Sequence, residues 1–201
     1  MISRETGAVL FELPEDTWQV HTVDFSPNGK TIATASQDES VRVWDANDGR
    51  ELMSFSHGSI VYTAVFSPDG RFIASGTCIP DRKIRVWDVQ NKCLYTAIEL
   101  NERIYSLAYS PDGHYLACVL ADETLHVYET TSWIDLVEYD IPDSVHDKSA
   151  VVFKESSIVI TANGYQFTYD FPPLQELIDQ TRERFKDRPL TPEERRMYYL
   201  E

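Results

Sequence analysis

Phe66-Ser67-Pro68-Asp69-Gly70, followed by Ile84-Arg85-Val86-Trp87-Asp88, decides how this chain folds, because both blocks recur. The first appears upstream as Phe25-Ser26-Pro27-Asn28-Gly29 and downstream as Tyr109-Ser110-Pro111-Asp112-Gly113, at spacings of 41 and 43 residues. The second appears upstream as Val41-Arg42-Val43-Trp44-Asp45. Weaker copies follow at Leu125-His126-Val127-Tyr128-Glu129 and Gln166-Phe167-Thr168-Tyr169-Asp170, so the Trp or Tyr recurs in steps of 43, 41 and 41. A fixed period of this size marks a chain built from stacked supersecondary units.

Each unit has a physical reading. Pro-Asp-Gly and Pro-Asn-Gly are hairpin turns, in which Pro sets φ and Gly supplies the positive φ. Strands are expected before the turn, at Val20–Phe25, Val61–Phe66 and Ile104–Tyr109. Strands are expected after it, at Thr31–Ala35, Phe72–Ser75 and Tyr115–Val119. A second polar turn follows at Gln37–Ser40, Pro80–Lys83 and Ala121–Thr124; the third strand ends in Trp-Asp or its substitute. A fourth strand is expected at Glu51–Phe55, Cys93–Ile98 and Ile134–Tyr139. The last unit offers strands only near Ala150–Phe153, Ile158–Thr161 and Gln166–Asp170. Four short strands per unit of about 40 to 45 residues is a propeller-blade pattern.

On these marks the chain resembles the WD-repeat β-propeller family over roughly residues 1–171. The resemblance implies an all-β fold of about four blades, with four antiparallel strands each. It also implies a structural hydrogen-bond tetrad: a His before the first strand, a Ser or Thr on the second, an Asp in the next turn, and the Trp. The best match is His57, Ser75, Asp81 and Trp87. The first unit has Thr34, Asp38 and Trp44, with Asp16 in place of the His. The third keeps Asp122 but has Leu100 and Tyr128. A His/Ser/Asp set invites a catalytic-triad reading. The match to a network that satisfies buried polar groups favours structure instead.

The blade boundaries expected are 17–56, 57–99, 100–143 and 144–171. Residues 1–16 would supply an outer strand, Ala8–Leu13, to a preceding blade or to the last one, closing the ring and removing open edges. Three arrangements remain open at this level. The chain is the C-terminal part of a longer propeller protein, or part of a ring shared with other chains, or a closed ring of four blades. Residues 172–201 read as a helical tail: Leu174, Leu177, Ile178 and Phe185 fall at helical spacing, and Thr191-Pro192-Glu193-Glu194 is a capping box. The stretch Arg188-Pro189-Leu190-Thr191-Pro192-Glu193-Glu194-Arg195-Arg196 resembles the end of bacterial multidomain WD-repeat proteins, in which the propeller follows a NACHT or related signalling ATPase or a caspase-like protease.

Composition narrows the function. The net charge is −15, and residues 1–172 carry 12 Lys and Arg against 26 Asp and Glu. Such a surface repels phosphate backbones and anionic membranes, and favours a basic or mixed-charge protein partner. Cys78, Cys93 and Cys118 form no C-x-x-C pair, which points to a reducing, cytoplasmic setting without a zinc site. No phosphate-binding loop, nucleophile elbow or metal-spaced histidine cluster is present, so no cofactor, metal or catalytic residue is expected. The aligned positions Val23, Ala64, Leu107 and Val151 are apolar, which argues against a site in a central channel.

What remains is a binding surface. Its expected members are Trp18, His21, Tyr62, Arg103 and Tyr105, set around the starts of the first strands. These residue types are enriched in binding hot spots. The expectation is a non-enzymatic interaction scaffold or sensor, with a structural assembly unit as the alternative and a propeller enzyme as the least favoured reading.

Overall fold

The computed structural model describes residues 18–142, 149–154 and 157–170. They form a four-blade β-propeller of antiparallel strands. Blade 1 holds β1 (Val20–Phe25), β2 (Thr31–Ser36), β3 (Ser40–Asp45) and β4 (Glu51–Ser56). Blade 2 holds β5 (Val61–Phe66), β6 (Phe72–Thr77), β7 (Lys83–Asp88) and β8 (Cys93–Glu99). Blade 3 holds β9 (Ile104–Tyr109), β10 (Tyr115–Leu120), β11 (Thr124–Glu129) and β12 (Asp135–Asp140). Blade 4 holds β13 (Ala150–Lys154), β14 (Ser157–Ala162) and β15 (Tyr165–Asp170). Each sheet is a meander in chain order. The expected outer strand at Ala8–Leu13 and the helical tail at 172–201 lie outside the described residues.

The turn chemistry repeats bond for bond. In the three Ser-Pro hairpins the Ser N–H donates to the carbonyl of Thr31, Phe72 or Tyr115, each at 2.9 Å. The Ser hydroxyl donates to Asn28, Asp69 or Asp112 within the turn. Gly29, Gly70 and Gly113 take φ of 68°, 72° and 77°, the left-handed region that side chains disfavour. At the other end of each sheet, Gln37, Cys78 and Ala121 donate N–H bonds to the carbonyls of Gln19, Ile60 and Arg103. These bonds tie the loop between the second and third strands to the residue entering the first. The two ends of the propeller are therefore chemically distinct: a loop end and a hairpin end.

Blades stack through β1, β5, β9 and β13 in that order. Side chains of one blade accept the edge N–H groups of the next. Ala64 donates to Thr22 Oγ1 at 3.1 Å, Phe66 to Asp24 Oδ2 at 2.7 Å, and Val151 to Ser106 Oγ at 3.1 Å. Edge donors that would otherwise be stranded between sheets are thereby satisfied. Burial raises the Asp24 carboxyl above its ordinary range, against the lowering pull of the Phe66 and Phe25 N–H groups. Apolar side chains fill the gaps between sheets. Gly76 lies where a Cβ would stand 2.5 Å from Ile104 Cγ2 and 2.9 Å from Thr63 Cγ2, so blades 2 and 3 approach closely there. Tyr139 and Tyr169 link blades 3 and 4 reciprocally, each hydroxyl donating to the carbonyl of Asp170 or Asp140 respectively.

The outermost faces differ from the inner ones. Ala64, Leu107 and Val151 are buried against the preceding blade, at 1%, 3% and 3% exposure, whereas the equivalent Val23 is 58% exposed. Phe25 is likewise exposed, while its counterpart Phe66 is buried. On blade 4, Ala150 and Val152 are exposed where Ser106 of blade 3 is buried. Ala64, Leu107 and Val151 thus belong to blade-to-blade contacts rather than to the wall of an open channel.

Candidate functional site

The tetrad of blade 2 assembles around three of its four expected members. Trp87 Nε1 donates to Ser75 Oγ at 3.1 Å, and Ser75 Oγ lies 2.8 Å from His57 Nε2. His57 Nδ1 faces the Phe55 carbonyl at 3.1 Å. That carbonyl can only accept, so Nδ1 carries the proton and Nε2 accepts. The chain of donation therefore runs Trp87 to Ser75 to His57 to Phe55. Burial, aided by the nearby charge of Arg85, pushes the His57 imidazole down to about 4, consistent with a neutral ring. Ser75 is fully buried, and no carboxylate sits on His57 Nδ1, so the set lacks both the access and the orienting acid of a hydrolytic triad.

Asp81 is placed elsewhere. It accepts from the Thr77 hydroxyl at 2.9 Å and pairs with the Arg85 guanidinium. Blade 1 repeats the arrangement: Asp38 pairs with Arg42 at 2.6 Å, and Trp44 Nε1 donates to Thr34 Oγ1 at 2.9 Å. In both blades the partner lies four residues after the acid, a spacing legible in the sequence that a search for the His partner passes over. Blade 3 departs from this. Asp122 accepts from Thr124 at 2.7 Å, and His126 stands where Arg42 and Arg85 stand. His126 Nδ1 instead meets Asp135 Oδ2 on β12 at 2.6 Å. That bond raises the imidazole above its ordinary value, against the cost of burial. Tyr128, in the Trp position, is buried.

The expected partner-binding residues gather at the loop end. His21 and Tyr62 stack across blades 1 and 2, with ring centroids 4.7 Å apart and planes 26° apart. Arg103 lies over the Tyr105 ring, 5.1 Å from its centroid. Trp18 is 65% exposed just before β1. His21, Tyr62 and Arg103 are half-buried. Tyr105 is only 9% exposed and joins the core of blades 3 and 4, so it supports the surface rather than presenting itself on it. A cation over an aromatic ring beside a stacked aromatic pair can receive a mixed polar and apolar partner surface.

Residues 7–45, 49–88 and 91–129 match the family described as WD domain, G-beta repeat. Protein hir1 of Emericella nidulans is 38% identical over 69 residues, covering 29% of this chain and 7% of that protein. WD repeat and SOCS box-containing protein 1 of Homo sapiens is 37% identical over 73 residues, covering 35% of this chain and 17% of that protein. The chain thus spans less than a fifth of these relatives. The crystal structure of the Myceliophteria thermophila Cps50 (Swd1) β-propeller domain aligns with a TM-score of 0.72 at 16% identity, over 87% of this chain and 59% of that one. The likeness to that structure is one of fold.

Proposed function

Since the chain belongs to the WD domain, G-beta repeat family, we propose that it is a non-enzymatic scaffold that holds a protein partner on its loop end. The observation that carries this is the row formed by the His21–Tyr62 stack and by Arg103 over Tyr105, flanked by the exposed Trp18. A rigid sheet framework holds these groups in place, so binding orders little that is not already ordered. The net charge of −15 supports a basic or mixed-charge partner. A reducing, cytoplasmic setting belongs to the same reading, on the sequence ground that the three cysteines are odd in number and form no C-x-x-C pair. Attachment to a larger bacterial signalling protein rests on the stretch Arg188–Arg196 alone, and the two curated relatives described above are fungal and human. The test is retention of partner by immobilised full-length chain. Tyr62→Ala and Arg103→Ala should lose the partner at unchanged melting temperature; retention in both would overturn the assignment of this surface.

A second reading, an assembly unit that forms a ring with other chains, is favoured by the outermost faces. Val23 and Phe25 on blade 1, and Val152 on blade 4, expose apolar surface of the kind that inner blades bury against each other. The mass of the chain in solution, measured across concentration, tests it.

A further inference from the structure

A cleft of about 350 Å3 opens at the hairpin end between blades 2 and 3, away from Tyr62 and Arg103. The hairpins at Asp69 and Asp112 form its two sides, and Phe72, Tyr95, Tyr109 and Trp133 contribute its aromatic walls. We propose that this cleft binds a basic segment of a partner protein, seating a Lys or Arg side chain between Asp69 and Asp112 against the aromatic walls.

The repeat itself shows how this cleft differs. Its counterpart between blades 1 and 2 has Asn28 for Asp69, Thr31 for Phe72, Phe66 for Tyr109 and Lys92 for Trp133. At three of these positions a polar or cationic group has given way to a carboxylate or an aromatic, and at the fourth the ring gains a hydroxyl. Folding does not require the change, because Asn28 makes the same turn bonds as Asp69. Each side chain accepts from the turn Ser hydroxyl and from the backbone two residues on. In Asp69 and Asp112 both turn bonds fall on Oδ1, so Oδ2 takes no part in the turn. The cation at the cleft, Arg71, is committed to Asp88 at 3.2 Å and lies 4.8 Å from the Phe72 ring centroid. The excess charge of the cleft is therefore negative, and one of its rings already receives a guanidinium.

A further observation points to a ligand. Tyr109 Oη and Trp133 Nε1 are enclosed in this wall without a hydrogen-bond partner among the described residues. Enclosing a donor without an acceptor is unfavourable. Trp133 also takes a φ of 59°, at the turn position held by Gly49 and Lys92 in the other blades. A bulky aromatic is disfavoured there. A bound segment supplies what is missing: a cation for two carboxylates, and backbone carbonyls for two donors.

The test is a titration of the full chain with a capped Gly-Lys-Gly-Arg-Gly peptide and its Gly-Glu-Gly-Glu-Gly counterpart, followed by NMR at the Trp133 indole and the Gly113 amide. The basic peptide should shift both signals and the acidic one neither. Asp69→Asn with Asp112→Asn should weaken binding about tenfold. Glu138→Gln with Asp140→Asn, an equal charge change on β12, should leave it within about twofold. Tyr109→Phe, which restores the residue found at Phe25 and Phe66, should weaken binding without lowering the melting temperature. Equal losses in the two double variants, or an unmoved Trp133 indole, would reduce the effect to diffuse attraction and overturn the proposal. Variants at Tyr62 and Arg103 lie at the loop end and leave this titration unchanged, so the two sites fail separately.

Discussion

Ser75 Oγ stands 2.8 Å from His57 Nε2, and the pair is fully enclosed beneath Trp87. The same two side chains that elsewhere perform hydrolysis here satisfy each other in a low-dielectric interior. His57→Ala would leave the Ser75 hydroxyl with only the Arg85 carbonyl, at 3.1 Å, to donate to, would remove the imidazole donor from the Phe55 carbonyl, and would open a void. Denaturant unfolding should show a loss of about 2–3 kcal/mol. Thermal melting should fall by about 5–10 °C. A variant as stable as the parent chain would show that the network adds nothing.

Buried His57 and partly buried His126 titrate with opposite sign. His57 has a folded pKa near 4, below its unfolded value, so the unfolded chain binds the extra proton first. Its contribution is present above about pH 6.5 and is lost as pH falls from there towards 4, by about 3 kcal/mol in all. His126 is raised by Asp135, so its contribution is present below its unfolded pKa and is lost as pH rises through the folded value. NMR titration of the imidazole carbons should place His57 below and His126 above the ordinary histidine range. Asp135→Asn should bring His126 down without moving His57.

Gly76 has no room for a side chain. A Cβ there meets Ile104 Cγ2 at 2.5 Å and Ile104 Cβ at 2.8 Å. Gly76→Ala should cost about 1–3 kcal/mol by overpacking. Adding Ile104→Gly should recover part of the loss attributable to the clash, read as a coupling energy in a double-mutant cycle. Strict additivity would place the strain elsewhere.

Exposed Val23 and Phe25 carry the assembly reading. The mass of the chain should rise with concentration, and Val23→Glu should hold it at that of a single chain. A mass independent of concentration in the parent chain would remove that reading.

The strands of the first three blades were legible because Pro, Gly and Trp-Asp fix the turns that bound them, and β1, β5 and β9 fall at the expected residues. Partner choice inside the tetrad was less legible. Asp81 sits at the family's position yet pairs with Arg85, since a carboxylate binds the nearer cation and spacing alone does not rank two candidates. The residue type of Tyr105 suits an interface, yet the side chain is buried, and that burial depends on blade 4, far along the chain. The cleft under Asp69 and Asp112 leaves one mark in the sequence. Aligning Gly49, Lys92 and Trp133 exposes a Trp at a position that favours Gly.

The most direct test of the interaction scaffold is quantitative co-purification by the parent chain and by Tyr62→Ala with Arg103→Ala, alongside a melting curve for each. The stacked and cation-bearing loop end predicts loss of the partner by the variant, with melting temperatures that agree. Equal recovery by the two chains would contradict it.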